Sequence, residues 1–230
     1  MFADRKYRAE VYAVKGRACN CQAAFSEQAE ALLSKAVKLS PTHADCWTAL
    51  GVCLWKKGDR AGAKSCLLQS VKLRPSIEAC CELSILIRQD DKGSFEQIVA
   101  ESIDFAKKAI ALDVRSEKGW YVLGNAMCAK HFNHTHAVED LKKALAAYNR
   151  SQSLGGACNP DLYFNRASVH RSLLDLSEAR ADWTRCQLAD PSLQAACLSS
   201  LRELEAIQFQ LQQLLLKKLA VPPSDISRGE

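Results

Sequence analysis

Arg88 and Asp161 are the residues whose chemistry asks most of a partner. A guanidinium pairs bidentately with a carboxylate, and an aspartate accepts from a basic side chain. Carried on one surface, the two would read a short ligand of mixed sign; otherwise each is an ordinary solvated helix charge. Asn125 and Asn165 form a second pair. An amide side chain holds donor and acceptor together, matching the C=O and N–H of a peptide backbone. Asparagine also suits helix packing by itself, so both readings stay open. His131, His134 and His136 near Cys128 are zinc-ligand types, but their spacing fits no standard site, and no metal is expected. No serine–histidine–carboxylate set, phosphate-cradling glycine loop or dinucleotide glycine pattern occurs. Binding rather than catalysis is the chemistry expected, with no cofactor and no small-molecule substrate.

The elements that must position these side chains are helices, and they repeat. Pro41 and Pro75 are 34 residues apart, as are Ala29 and Ala63, Leu33 and Leu67, and Ala36 and Ser70. The clearest copy reads Trp47-x2-Leu50-Gly51, then Ala63-x3-Leu67, then Pro75. A 34-residue period with these residues marks the tetratricopeptide helix-turn-helix repeat. The expected fold is therefore all-α: a right-handed superhelical solenoid of about five hairpins plus a C-terminal capping helix, one elongated unit.

The expected organisation is a lead-in over 1–8, repeats over 9–43, 44–77, 78–116, 117–159 and 160–193, a capping helix over 194–221 and a flexible tail over 222–230. Tyr12 and Gly16 belong to the first repeat. In the second, Lys57-Gly58-Asp59 makes the turn, with glycine permitting positive φ and aspartate capping the next helix. The third repeat is degenerate: Cys80, Leu83 and Ser84 hold first-helix positions, Asp90-Asp91-Lys92-Gly93-Ser94 makes its turn, and Ala109 with Val114 replaces the alanine–proline pair. The fourth opens on Trp120-x2-Leu123-Gly124 and carries about eight extra residues around the histidines before Ala144-x3-Tyr148. The fifth has Tyr163, Ala167, Ala179-x3-Trp183 and Pro191. Beyond it, Leu193, Cys197, Leu201, Leu204, Phe209, Leu211, Leu215 and Leu219 make an apolar stripe at helical spacing, a cap for the last repeat or an oligomerisation seam.

With 48% hydrophobic and 25% charged residues, the chain can build a sizeable core, and its apolar runs are too short to span a membrane. The net charge of +5 is spread over mixed-sign helix faces, which suits solvation or an acidic partner such as ribosomal RNA. Eleven cysteines without a CxxC pair or a secretion-signal pattern read as reduced packing thiols, among them Cys46, Cys53, Cys66, Cys80, Cys128, Cys186 and Cys197.

In tetratricopeptide folds the first helix of each hairpin lines a concave groove. That convention puts Lys118, Tyr121, Asn125, Asp161, Phe164, Asn165 and Arg171 in the groove. Arg88 joins them if Ser84 takes the place of the glycine found at Gly51 and Gly124. Asn125 and Asn165 fall where peptide-binding members place ligand-gripping asparagines. A clamp for chaperone tails would need lysine where Tyr121 stands, which disfavours that partner.

The stretches Ala29-Glu30-Ala31-Leu32-Leu33-Ser34-Lys35-Ala36-Val37-Lys38-Leu39, Trp55-Lys56-Lys57-Gly58-Asp59, Trp120-Tyr121-x-Leu123-Gly124-Asn125 and Asn159-Pro160-Asp161-Leu162 closely resemble the tetratricopeptide repeat protein 5 family. The likeness runs over about 9–193 and includes the irregular third repeat with Leu86-Ile87-Arg88-Gln89. It implies a cytoplasmic and nuclear adaptor that recognises the N-terminal peptide of nascent tubulin on the ribosome and triggers tubulin mRNA decay through decay adaptor proteins. It also implies a stress-responsive transcriptional cofactor, so a nuclear scaffold is the alternative function. By the same resemblance, Arg88 would meet the glutamate and Asp161 the arginine of a Met-Arg-Glu start, and Lys35 and Lys38 would touch the ribosome. Family members carry an N-terminal helical extension and a C-terminal oligonucleotide-binding fold that this sequence lacks, so it reads as an excerpt or a shortened relative. Leu193, Gln194 and Ala195 stand where the family has an acidic residue, which would weaken the grip on the peptide's N-terminus.

Overall fold

Small residues at fixed places let pairs of helices cross closely, and this sets the architecture. The computed structural model describes the backbone of residues 2–89 and 93–220, and the side chains within them except those of 2–4, 157 and 218–220. The chain divides into two compact units, Met1–Gly156 and Ala157–Glu230. The sequence period suggests one continuous unit; the division falls at Gly155-Gly156, where Gly155 has a φ of 118° and a 3-10 turn (Gly156–Cys158) follows.

The first unit holds four hairpins. These are α1 (Phe2–Cys19) with α2 (Glu27–Leu39), α3 (Ala44–Lys57) with α4 (Arg60–Leu73), α5 (Ile77–Ile87) with α6 (Phe95–Leu112), and α7 (Glu117–Lys130) with α8 (Val138–Ser153). Each hairpin packs on the next through α2–α3, α4–α5 and α6–α7, while α1, α3, α5 and α7 also touch in sequence as an inner row. Helix α1 starts at Phe2, so it takes in the expected lead-in. The second unit has α9 (Pro160–Ser172), α10 (Leu176–Ala189) and the long α11 (Gln194–Ala220), which packs on α10.

Close crossings explain the repeat residues. A Cβ on Gly51 would lie 2.8 Å from Leu67 Cγ, and one on Gly16 2.7 Å from Leu33 Cγ. Gly58 turns the second hairpin at φ 90°, and Asp59 Oδ1 accepts from Gly62 N at 2.9 Å to cap α4. The missing proline of the third repeat costs little geometry. Trp120 Nε1 donates to Val114 O at 2.9 Å just as Trp47 Nε1 donates to Pro41 O at 2.8 Å.

Seven cysteines are buried: Cys46, Cys53, Cys66, Cys80, Cys81, Cys186 and Cys197. Cys128 is half-buried, and all eleven are free thiols. Burial pushes the Cys66 thiol up to about 11 and Cys81 up to about 12. Along α11 the expected stripe is covered only in its first half. Cys197 and Leu204 are fully buried, whereas Phe209 and Leu215 are 62% and 61% exposed and Leu211 is exposed too. The side chain of Leu219, the tail from Pro222 on, and Asp90, Asp91 and Lys92 of the third turn lie outside the described residues. Among those described, no helix is long and apolar enough to cross a membrane.

Candidate peptide-binding site

In the first unit the site is built around a substitution at a helix crossing. Where other hairpins set a glycine against a bulky residue, the third sets Ser84 of α5 against Ser102 of α6. Each hydroxyl donates to the other's carbonyl, Ser84 Oγ to Ser102 O at 2.8 Å and Ser102 Oγ to Ser84 O at 2.9 Å. Their lone pairs are left for Arg88, whose Nη1 donates to Ser102 Oγ at 2.7 Å and Ser84 Oγ at 3.1 Å. Arg88 caps α5 and is half-buried, and among the described residues no carboxylate lies within ion-pair distance of it. Burial draws its guanidinium below the ordinary arginine value, with the nearby Tyr148, Tyr121 and Cys128 acting in the other direction.

Tyr148 of α8 is bonded to α7. Its hydroxyl donates to Asn125 Oδ1 at 2.7 Å and lies 3.4 Å from Cys128 Sγ, and its ring centroid is 6.2 Å from that of Tyr121. Burial raises the Tyr148 phenol well above its usual value, so it stays a neutral donor. Gly124 makes room for it: a Cβ there would meet Tyr148 Cε1 at 2.5 Å. The structure thus joins Tyr121 and Asn125 through Tyr148, and both tyrosines lie near enough to Arg88 to act on its charge. Lys118 is engaged differently, with its ammonium 2.7 Å from Glu82 Oε1 and 3.7 Å from Glu78 Oε1. Burial works against its charge, but the two glutamates overcome this and raise its pKa.

Lys35 and Lys38 are exposed on α2, and the Lys35 ammonium stands 6.0 Å from the Tyr12 ring centroid. The histidine insert forms a π-helical turn, His131–Thr135, rather than a loose hairpin tip. His131 Nδ1 lies 2.9 Å from Ala137 O, and Thr135 Oγ1 donates to Asp140 Oδ2 at 2.7 Å. Among the described residues no three His, Cys, Asp or Glu side chains group as a metal site.

In the second unit Asp161 is exposed in the first turn of α9, at the end where a helix favours negative charge. Phe164 and Asn165 are half-buried on the same helix. Arg171 is held within the unit: its Nη1 donates to Glu203 Oε2 of α11 at 2.6 Å, and its guanidinium lies over the Trp183 ring at 5.6 Å. Arg166 makes a buried bidentate pair with Asp182, Nε to Oδ2 at 2.6 Å and Nη2 to Oδ1 at 2.9 Å, and Arg185 adds a third bond at 2.7 Å. Sequence reasoning missed Ser102, Tyr148, Glu82 and Glu203 as partners of the site. The signal for the first two was available, because each stands opposite a small residue of the preceding helix.

Residues 44–77 match the family model of the tetratricopeptide repeat. The chain carries a tetratricopeptide repeat. It is 35% identical over 192 residues to tetratricopeptide repeat protein 5 of Bos taurus, a match covering 80% of this chain and 43% of that one. The chain thus spans less than half the length of this curated relative. Among solved structures it is similar to the APC/C hetero-tetramer Cut9-Hcn1, at 15% identity and a TM-score of 0.70 over 95% of this chain and 41% of that one. It is also similar to pilF of Pseudomonas aeruginosa, at 16% identity and a TM-score of 0.65 over 92% and 93%. These structural likenesses bear on the fold, which is all-helical with no strand among the described residues. The repeat and the homology support a protein-binding adaptor, a scaffold for interaction.

Proposed function

We propose that the protein is a peptide-recognition adaptor for the Met-Arg-Glu start of nascent tubulin, acting at the ribosome to bring about tubulin mRNA decay. The observation that carries the reading is Arg88: a half-buried guanidinium, fixed by two serine hydroxyls, with no carboxylate on it among the described residues. A charge withdrawn from water without a counter-ion is costly, and a ligand carboxylate would relieve that cost. The peptide's glutamate supplies one. Tyr121 and Asn125 belong to the same cluster and would contact the peptide beside it, with Lys118 nearby on α7. Taken by itself, the second unit offers exposed Asp161 to a basic side chain, with Phe164, Asn165 and Arg171 on the same helix.

Exposed Lys35 and Lys38 of α2 would contact the ribosome, and decay adaptor proteins would be recruited in turn, in the cytoplasm and with a further presence in the nucleus. The homology to tetratricopeptide repeat protein 5 supports this assignment. The test is titration of a labelled Met-Arg-Glu-Ile peptide against the wild-type chain and Arg88→Ala. Loss of a desolvated charge pair should weaken binding by roughly 2–5 kcal/mol, and equal affinity would remove Arg88 from recognition. As a second arm, charge reversal of Lys35 and Lys38 should reduce ribosome co-sedimentation, most at low salt.

A nuclear scaffold is the second reading, favoured by the exposed Phe209, Leu214, Leu215 and Leu216 of α11. It predicts that Arg88→Ala leaves the partners bound and that polar residues at Phe209 and Leu215 release them.

A further inference from the structure

A concavity of about 330 Å³ lies in the first unit, and Arg17, Asn20, Asp45, Thr48, Val52 and Glu78, but not Arg88, are among its walls. Helix α3 contacts both α1 and α5. It therefore supplies the floor, with Arg17 of α1 to one side and Glu78 of α5 to the other.

Two of the polar groups are already engaged. Both Asp45 oxygens accept from Arg74 Nη2 at 2.7 Å, and the Thr48 hydroxyl lies 2.7 Å from that of Ser70. Three others have capacity left. Arg17 is exposed and has no acidic partner within ion-pair distance among the described residues. Glu78 is 63% exposed and 3.7 Å from a Lys118 ammonium that sits closer to Glu82. Asn20 is 9% exposed, and its amide oxygen is buried without a hydrogen-bond partner among the described residues. The rest of Asn20 is anchored: its N–H donates to Gly16 and Arg17 carbonyls, and its carbonyl accepts from the Lys56 ammonium. A buried acceptor left unpaired destabilises the fold, and a ligand N–H would satisfy it.

We propose that this concavity is a second peptide subsite, which takes an extended segment carrying one acidic and one basic residue. The acidic side chain pairs with Arg17, the basic one with Glu78, and a main-chain N–H reaches Asn20. In an extended chain, side chains two positions apart share a face about 7 Å apart, so a tripeptide can present both charges. The proposal rests on the reading of this protein as a peptide binder, and on no residue of the Arg88 cluster.

The experiment titrates acetyl-Glu-Ala-Lys-amide into the full chain, followed by amide chemical shifts at Thr48 and Val52. Acetyl-Gln-Ala-Lys-amide and acetyl-Glu-Ala-Gln-amide are the comparators. Each should bind about two- to fivefold more weakly, the size of a solvent-screened ion pair. Arg17→Ala should erase the preference for glutamate over glutamine, and Glu78→Gln the preference for lysine over glutamine. Both residues are exposed, so these variants keep the fold; Asn20→Ala should weaken all three peptides together. Arg88→Ala should leave this titration unchanged while removing binding of the tubulin-start peptide, so the two assignments fail separately. Equal binding of all three peptides, absence of saturable shifts, or loss of the tripeptide in Arg88→Ala would overturn the second subsite.

Discussion

Asp182 shows how much a single residue can hold. Its carboxylate is 1% exposed and takes three hydrogen bonds from Arg166 and Arg185. Replacing Asp182 with asparagine leaves the buried Arg166 guanidinium uncompensated, so we expect a loss of about 3–5 kcal/mol in chemical denaturation. Arg185→Ala, at the half-exposed end of the network, should cost under about 1 kcal/mol. The same logic sets what could be read from the sequence at this scale. Arg88, Tyr121 and Asn125 could be nominated from repeat position and resemblance, and Tyr148 links the last two. That Lys118 and Arg171 are already paired could not be seen. Their partners Glu82 and Glu203 lie 36 and 32 residues away, about one repeat, so the pairing exists only once hairpins stack. Side-chain pairing across repeats has no local signature.

Among the elements, the crossing point within each hairpin decides which polar side chains are held there. Glycine opposite leucine gives plain core packing at Gly16 and Gly51, while serine opposite serine holds Arg88 and glycine opposite tyrosine holds Asn125. Gly124→Ala puts a methyl into the Tyr148 ring and must move its hydroxyl off Asn125. We expect overpacking of about 1–3 kcal/mol to outweigh the roughly 1 kcal/mol gained in helix propensity. Thermal unfolding and peptide titration should therefore both register the change, and a variant with unaltered melting and affinity would contradict it. The hairpins themselves were legible because tryptophan, glycine, alanine and proline recur at fixed offsets. The π-helical turn was not, since its histidines look like any polar insert until His131 binds the Ala137 carbonyl. Nor could an apolar stripe tell which half of α11 would be covered, because the pattern records helical phase and not the length of the neighbour.

Across the molecule, the cores of both units use thiols where alanine or valine would serve. Their ionisation links stability to alkaline pH. Burial lifts Cys66 to about 11 and Cys81 and Cys186 to about 12, the last also through its contact with Cys197, from an ordinary value of 9.0. The unfolded chain loses these protons first, so stability is fully present below pH 9 and declines as pH climbs toward 12. Melting temperatures measured at pH 8, 10 and 11 should fall in that order, and Cys81→Ser should flatten the slope. Those thiols have a further use. A maleimide in excess can reach Cys46, Cys66, Cys81 or Cys186 only while the surrounding helices breathe, so mass spectrometry of the adducts would time each opening separately. In a stacked array such openings need not be simultaneous. The molecule thus carries, distributed along its own length, the clocks needed to learn in what order it comes apart.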